Sequence, residues 1–134
     1  MPPSSYGDPS RSTSVKDAFD LTGRVAIITG GAGFFGQKHA EAIAEMGGSP
    51  VILDLSQKAA KNRATIIAKS FGVKSLGIGV DITIPDLVQK SLDEIISHFG
   101  RIDILINNAA NDPKIDDPKE LTNQWSRLEN FPID

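Results

Sequence analysis

Arg24-Val25-Ala26-Ile27-Ile28-Thr29-Gly30-Gly31-Ala32-Gly33-Phe34-Phe35-Gly36 decides the fold. Its first half, RVAIIT, is a nearly unbroken β-branched apolar run, the pattern of a strand covered on both faces. Its second half sets glycines at 30, 33 and 36 ahead of a segment, Phe34 to Met46, in which Ala40, Ile43 and Ala44 make one helical face. Gly47-Gly48 supplies the stop. Glycines in a strand-to-helix turn allow a sharp bend and close approach to a dinucleotide pyrophosphate, which the free N–H groups of the helix N-terminus then receive. A tight turn made for packing alone would use the same residues, so the triplet by itself leaves both readings open.

The alternation continues outward from this stretch. PVILDL (Pro50 to Leu55) reads as a second strand, and Ser56 can cap a helix in which Ala60, Ala64, Ile67 and Phe71 recur at helical steps up to Gly72. SLGIGVDI (Ser75 to Ile82) is the third strand. Thr83-Ile84-Pro85-Asp86 fits a capping box for a helix with Leu87, Ser91, Ile95 and Phe99 on its apolar stripe, closed by Gly100. RIDILI (Arg101 to Ile106) is the fourth strand, followed by a polar stretch expected to be a long loop with one short helix around Glu120 to Leu128. Strands joined by helical crossovers lie parallel, with right-handed connections. The fold class is therefore α/β, a doubly wound parallel sheet of order βαβαβαβ. Residues 1–19 begin with a Pro- and Ser-rich run that cannot bury enough apolar surface to order itself, so they read as a disordered tail and 20–134 as one domain.

Composition narrows the function. The 134 residues hold 14 Lys+Arg against 17 Asp+Glu, a net charge of −3, which offers no basic field for nucleic acid or anionic membrane. No cysteine is present, so disulfide frameworks, thiolate metal sites and thiol catalysis are excluded. His39 and His98, the two histidines, sit within or at the end of helices and read as packing or exposed groups. The first 30 residues contain no apolar run of signal-peptide or membrane-span length, which makes a cytoplasmic location the expectation.

Three further positions stand at strand ends, where open α/β sheets bind ligands. Asp54 closes strand two, 24 positions beyond Gly30. A carboxylate there accepts from the ribose hydroxyls of an adenosine and repels a 2′-phosphate, a pattern that with the glycine loop favours NAD over NADP; a solvated strand-end Asp is the plain alternative. Asp81-Ile82 closes strand three, where the carboxylate can accept from an adenine amino group while the isoleucine packs on the ring, or can simply begin a turn. Asn107-Asn108-Ala109-Ala110 closes strand four: small residues leave room for a nucleotide and the Asn side chains can tie neighbouring strands, or form an ordinary Asn-rich turn.

TGGAGFFG, Asp54, Asp81-Ile82 and DILINNAA, in that order over about residues 20–111, together resemble the short-chain dehydrogenase/reductase family. The resemblance implies a Rossmann-type domain and a nicotinamide cofactor held by Gly30, Gly33, Phe35, Gly36, Asp54, Leu55, Asp81, Ile82, Asn108, Ala109 and Ala110. It implies hydride transfer with an alcohol or ketone, sugar-related in view of the polar NDPKIDDPKE stretch, a small-molecule substrate, and a parent protein that forms a homo-oligomer, dimer or tetramer. Two departures stand. Phe34 and the TGxxGxxG spacing are similar to the extended branch of sugar-nucleotide epimerases and dehydratases, whereas NNAA and the crossover lengths are similar to the shorter branch, which is favoured with the loop as a variant and an extended-branch epimerase or dehydratase as the alternative; Ala110 stands where NNAG has glycine. The family's chemistry also uses a Ser and a Tyr-x-x-x-Lys. The one tyrosine here, Tyr6, is followed four positions on by Ser10, so no catalytic residue is assigned and the expectation is that the catalytic half lies outside this chain. A non-catalytic dinucleotide-binding module is the alternative from a different class.

Overall fold

The structure, a computed structural model, describes residues 14–110. After a single helical turn, α1 (Val15–Ala18), the elements run β1 (Val25–Thr29), α2 (Phe34–Glu45), β2 (Ser49–Asp54), α3 (Gln57–Phe71), β3 (Leu76–Gly79), α4 (Pro85–Phe99) and β4 (Ile104–Ile106). The helical turn α1 falls inside the stretch 1–19 that composition assigns to a disordered tail. The four strands form one parallel sheet in the order β3-β2-β1-β4, with β1 paired to β2 from Val25↔Ser49 to Thr29↔Leu53 and to β4 from Ala26↔Ile104 to Ile28↔Ile106. The expected doubly wound, Rossmann-like architecture is therefore present, and the strand order reverses beside β1.

Every residue of β1 is buried because both faces of the sheet are covered. On one face Ile28 and Ile52 meet Ala40 and Ala44 of α2 and Ala60, Ala64 and Ile67 of α3. On the other, Val25, Ile27, Val51, Leu53, Ile78 and Val80 meet Ile95 of α4, with Leu87, Leu92 and Phe99 beside it. Small residues set the spacing on the first face. A Cβ at Gly77 would fall on the backbone of Ala60 and 2.5 Å from Lys61 N, so α3 lies directly on the β3 backbone. From there the Gln57 side chain donates to Gly77 O at 3.2 Å and accepts from Gly79 N. Those two peptide groups face away from β2, since Val80 N–H is the one that reaches Asp54 O and alternate residues of a strand point to opposite sides.

Local chemistry accounts for most helix ends. Ser56 Oγ accepts from Ala59 N at 3.2 Å, as an N-cap should, and Gly72 and Gly100 end α3 and α4 in the left-handed region at φ 68° and 75°. The expected capping box at 83–86 does not form. Ile84 is the N-cap of α4, because the Thr83 hydroxyl turns back to Asp81 Oδ1 at 2.6 Å. β4 begins at Ile104 and not at Arg101, since Asp103 is turned inward, accepting from Val25 N at 2.9 Å and from the Arg24 guanidinium at 3.0 Å while Arg101 reaches both its oxygens.

Candidate cofactor site

The C-terminal ends of β1 and β4 flank the point of strand-order reversal, and the glycine loop closes over it. Gly30 takes φ 60°, and a Cβ there would lie 3.1 Å from Ala109 Cα and 3.2 Å from Asn108 Nδ2. A Cβ at Gly36 would stand 2.6 Å from Gly31 Cα and closer still to Gly30 O, so the first turn of α2 rests on the loop itself. Gly33 is the N-cap of α2, with no side chain to occupy the helix end. The loop donors are largely committed: Gly31 N–H to Leu53 O at 3.0 Å, Ala32 N–H to Asp54 Oδ2 at 3.1 Å, and Gly33 N–H to Gly30 O at 3.1 Å. Phe34, Phe35 and Gly36 supply the first three N–H groups of α2, and none of them has an acceptor among the described residues. Three convergent donors at a helix N-terminus suit an anion. The rings of Phe34 and Phe35, both mostly exposed, meet edge to face with centroids 5.3 Å apart at this rim; Phe34 lies outside the residues that the family resemblance implies.

Asp54 ends β2 facing the loop. Besides Ala32 N–H, it accepts from Ser56 N at 3.3 Å through Oδ1, so each oxygen carries one backbone donor and retains capacity for another. Leu55 follows, 78% exposed. Neither the loop 29–36 nor residues 54–56 contain a Lys or Arg. Asp81 lies just past the end of β3. Its Oδ1 accepts from Thr83 N at 3.0 Å and from the Thr83 hydroxyl, which together hold the carboxyl below the usual aspartate range; Oδ2 has no partner among the described residues. Ile82 is half exposed beside it.

Thr29, the last residue of β1, ties that strand to the segment that follows β4. Its Oγ1 accepts from Asn108 N and Ala109 N, both at 3.0 Å, and lies 3.4 Å from Ile106 O. Asn108 Nδ2 donates to Thr29 O at 3.0 Å and to Gly30 O at 3.2 Å. The Asn108 amide thus ties strands and holds the loop, while Ala109 and Ala110 are exposed at the rim. Thr29 is the residue that sequence reasoning missed, and a hydroxyl at the last position of an apolar strand was the available signal. Among the described residues no group of three or more acidic, His or Cys side chains is placed to hold a metal ion, and no helix is long and apolar enough to cross a membrane. His98 packs edge to face on Phe99. Tyr6, Trp125, Asp112, Asp116, Asp117 and the short helix expected near Glu120 lie outside the described residues.

The residues present fit a dinucleotide. A Cβ-free cradle, three N–H groups without an acceptor among the described residues, and a carboxylate at the end of β2 stand together at the C-terminal ends of β1 and β2. The profile of the family described as short chain dehydrogenase matches residues 24–131. A sorbose reductase of Candida albicans is 34% identical over 124 residues, covering 90% of this chain and 43% of that protein. Among solved structures, an NADPH-dependent 3-quinuclidinone reductase from Rhodotorula rubra superposes with a TM-score of 0.72 at 33% identity, over 96% of this chain and 46% of its own. An NAD+-bound xylitol dehydrogenase gives a TM-score of 0.64 at 30% identity, over 68% of this chain and 35% of its own. The chain thus spans less than half the length of these three relatives.

Proposed function

The chain belongs to the short-chain dehydrogenase family, and from that premise we propose that it forms the cofactor-binding half of an NAD-dependent oxidoreductase acting on a small alcohol or ketone of sugar or polyol type. Phe34, Phe35 and Gly36 would hold the pyrophosphate on their N–H groups, Asp54 the adenosine ribose, and Asp81 with Ile82 the adenine. Bound there, a nicotinamide supplies hydride acceptance or donation. The protein's part is to bind and orient: Thr29 and Asn108 fix the loop against β4, and the exposed Ala109 and Ala110 leave the rim open toward the substrate. The sugar-type substrate rests on the sorbose reductase and xylitol dehydrogenase relatives.

Asp54 is the observation that carries the preference for NAD. Its carboxylate is fixed by two backbone donors at the loop, with acceptor capacity left for a ribose diol and no cation in the loop or at 54–56 to receive a 2′-phosphate. The relatives include both an NAD+ complex and an NADPH-dependent enzyme, so family membership leaves this choice to the site. Calorimetric titration of the chain with NAD and NADP tests it. NAD binding at least about tenfold tighter is expected, from one hydrogen bond to a charged group together with exclusion of a phosphate. Equal affinities would overturn it.

A further inference from the structure

We propose that Asp54 is also the latch that gives the glycine loop its shape, so that cofactor selection and loop geometry share one carboxylate. The selection half of this statement rests on the reading of Asp54 as ribose acceptor; the latch does not. Two successive loop amides reach β2: Gly31 N–H bonds the main-chain carbonyl of Leu53 at 3.0 Å, and Ala32 N–H bonds the Asp54 side chain at 3.1 Å. The first attachment joins main chain to main chain. The second is the only one of the pair that depends on a side chain, and it lies directly before Gly33, the N-cap from which the three free donors of α2 begin. Gly31 lies close on the sheet, where a Cβ would stand 2.9 Å from Ile28 O and from Ile52 Cγ2. Asp54 is anchored from the other side by Ser56 N–H, and its own carbonyl accepts from Val80 N at 2.8 Å. A carboxylate fixed at both ends is thus braced against the loop before any ligand arrives. Replacing Asp54 to admit a 2′-phosphate would therefore also loosen the anion cradle.

Amide exchange and ligand titration on the whole chain separate the two roles. Asp54→Ala is expected to speed exchange of the Ala32 amide about tenfold or more and to weaken binding of NAD, NADP and inorganic pyrophosphate together. Asp54→Asn keeps one acceptor oxygen, which can serve the Ala32 or the Ser56 N–H but not both, and a neutral acceptor is weaker than a charged one. Its Ala32 exchange should fall between those of the parent and the alanine variant, with pyrophosphate binding largely restored and the NAD preference still reduced. Exchange at Ile28 and Ile52, in β1 and β2, reports whether each variant is folded; should the alanine variant fail that check, the asparagine variant decides alone. Ala32 exchange equal to the parent's in a folded variant overturns the latch, even where the NAD preference is lost. Faster exchange with the NAD preference intact supports the latch and overturns the ribose assignment.

Discussion

Replacing Gly36 with alanine should damage the fold before it affects any ligand. The added methyl would lie 2.6 Å from Gly31 Cα, and nearer still to Gly30 O, whereas carbon atoms settle at about 3.5–4.0 Å. The loop or the first turn of α2 must therefore move by about 1 Å. The helix is not free to do so, because Ala40 and Ala44 are fully or almost fully buried against the sheet, and overpacking of this kind costs about 1–3 kcal/mol. Moving Gly30 also strains its 3.1 Å bond from Gly33 N–H. Against this, alanine is better than glycine within a helix by roughly 0.5–1 kcal/mol, a gain reduced in the first turn. The expected balance is a loss of about 1–2 kcal/mol, or roughly 4–7 °C in a chain of this size. Gly33→Ala is the control. Gly33 has φ −72°, and its Cβ would meet only Gly30 O, at 3.3 Å, so its stability should stay within about 0.5 kcal/mol of the parent. Urea and thermal unfolding of the three proteins decide it: coincident midpoints for parent and Gly36→Ala would refute the packing argument.

Substitutions at two further positions test the ties between strands. Thr29→Val preserves shape but leaves the Asn108 and Ala109 N–H groups without their acceptor, at roughly 0.5–1.5 kcal/mol for each since water can reach the rim; Thr29→Ser should recover most of the loss, and an unfolding midpoint unchanged in the valine variant would show that the hydroxyl ties nothing. Asp103 is held down at about 2 from 3.8, first by Arg101, with the Val25 N–H and Arg24 adding to it. A depressed carboxyl contributes stability that is complete above the unfolded value and is lost as pH falls through the folded one. Asp103→Asn should therefore lower stability by about 1–2 kcal/mol at neutral pH, discounted for its half-exposed arginine partners, and the gap should close between about pH 4 and pH 2. Urea midpoints across that range check it, and a gap of constant size would sink the assignment.

Much of the fold was legible because its signals are local. The unbroken run at 25–29, the αL glycines at 72 and 100 and the Ser56 cap each act within a few residues, and each appears where the sequence puts it. What misled was competition. Thr83 had two possible partners, and the nearby Asp81 carboxylate outbid the helix amides, which no spacing rule reveals. Asp103 reads as a charged position within a strand, yet its partner Val25 is 78 positions away, so the shortening of β4 follows from a tertiary contact. The site shows the same division. Glycine positions and strand-end carboxylates could be read from the chain, whereas the bond between Asp54 and Ala32, and the bridge from Thr29 to 108 and 109, exist only once β1, β2 and β4 lie side by side.

The Gln57 carboxamide has a consequence for how the sheet ends. It offers an N–H to Gly77 O and an oxygen to Gly79 N–H, the same pair of contacts that the N–H and C=O of one residue in a neighbouring parallel strand would make. A side chain thus counterfeits a strand on the outer flank of β3, where unpaired backbone would otherwise invite another chain. At β4, on the opposite flank, the outward Leu105 is 59% exposed, and among the described residues only β1 pairs with that strand. Growth of the sheet is therefore one-sided: a further strand finds β3 already occupied and β4 ready to receive it.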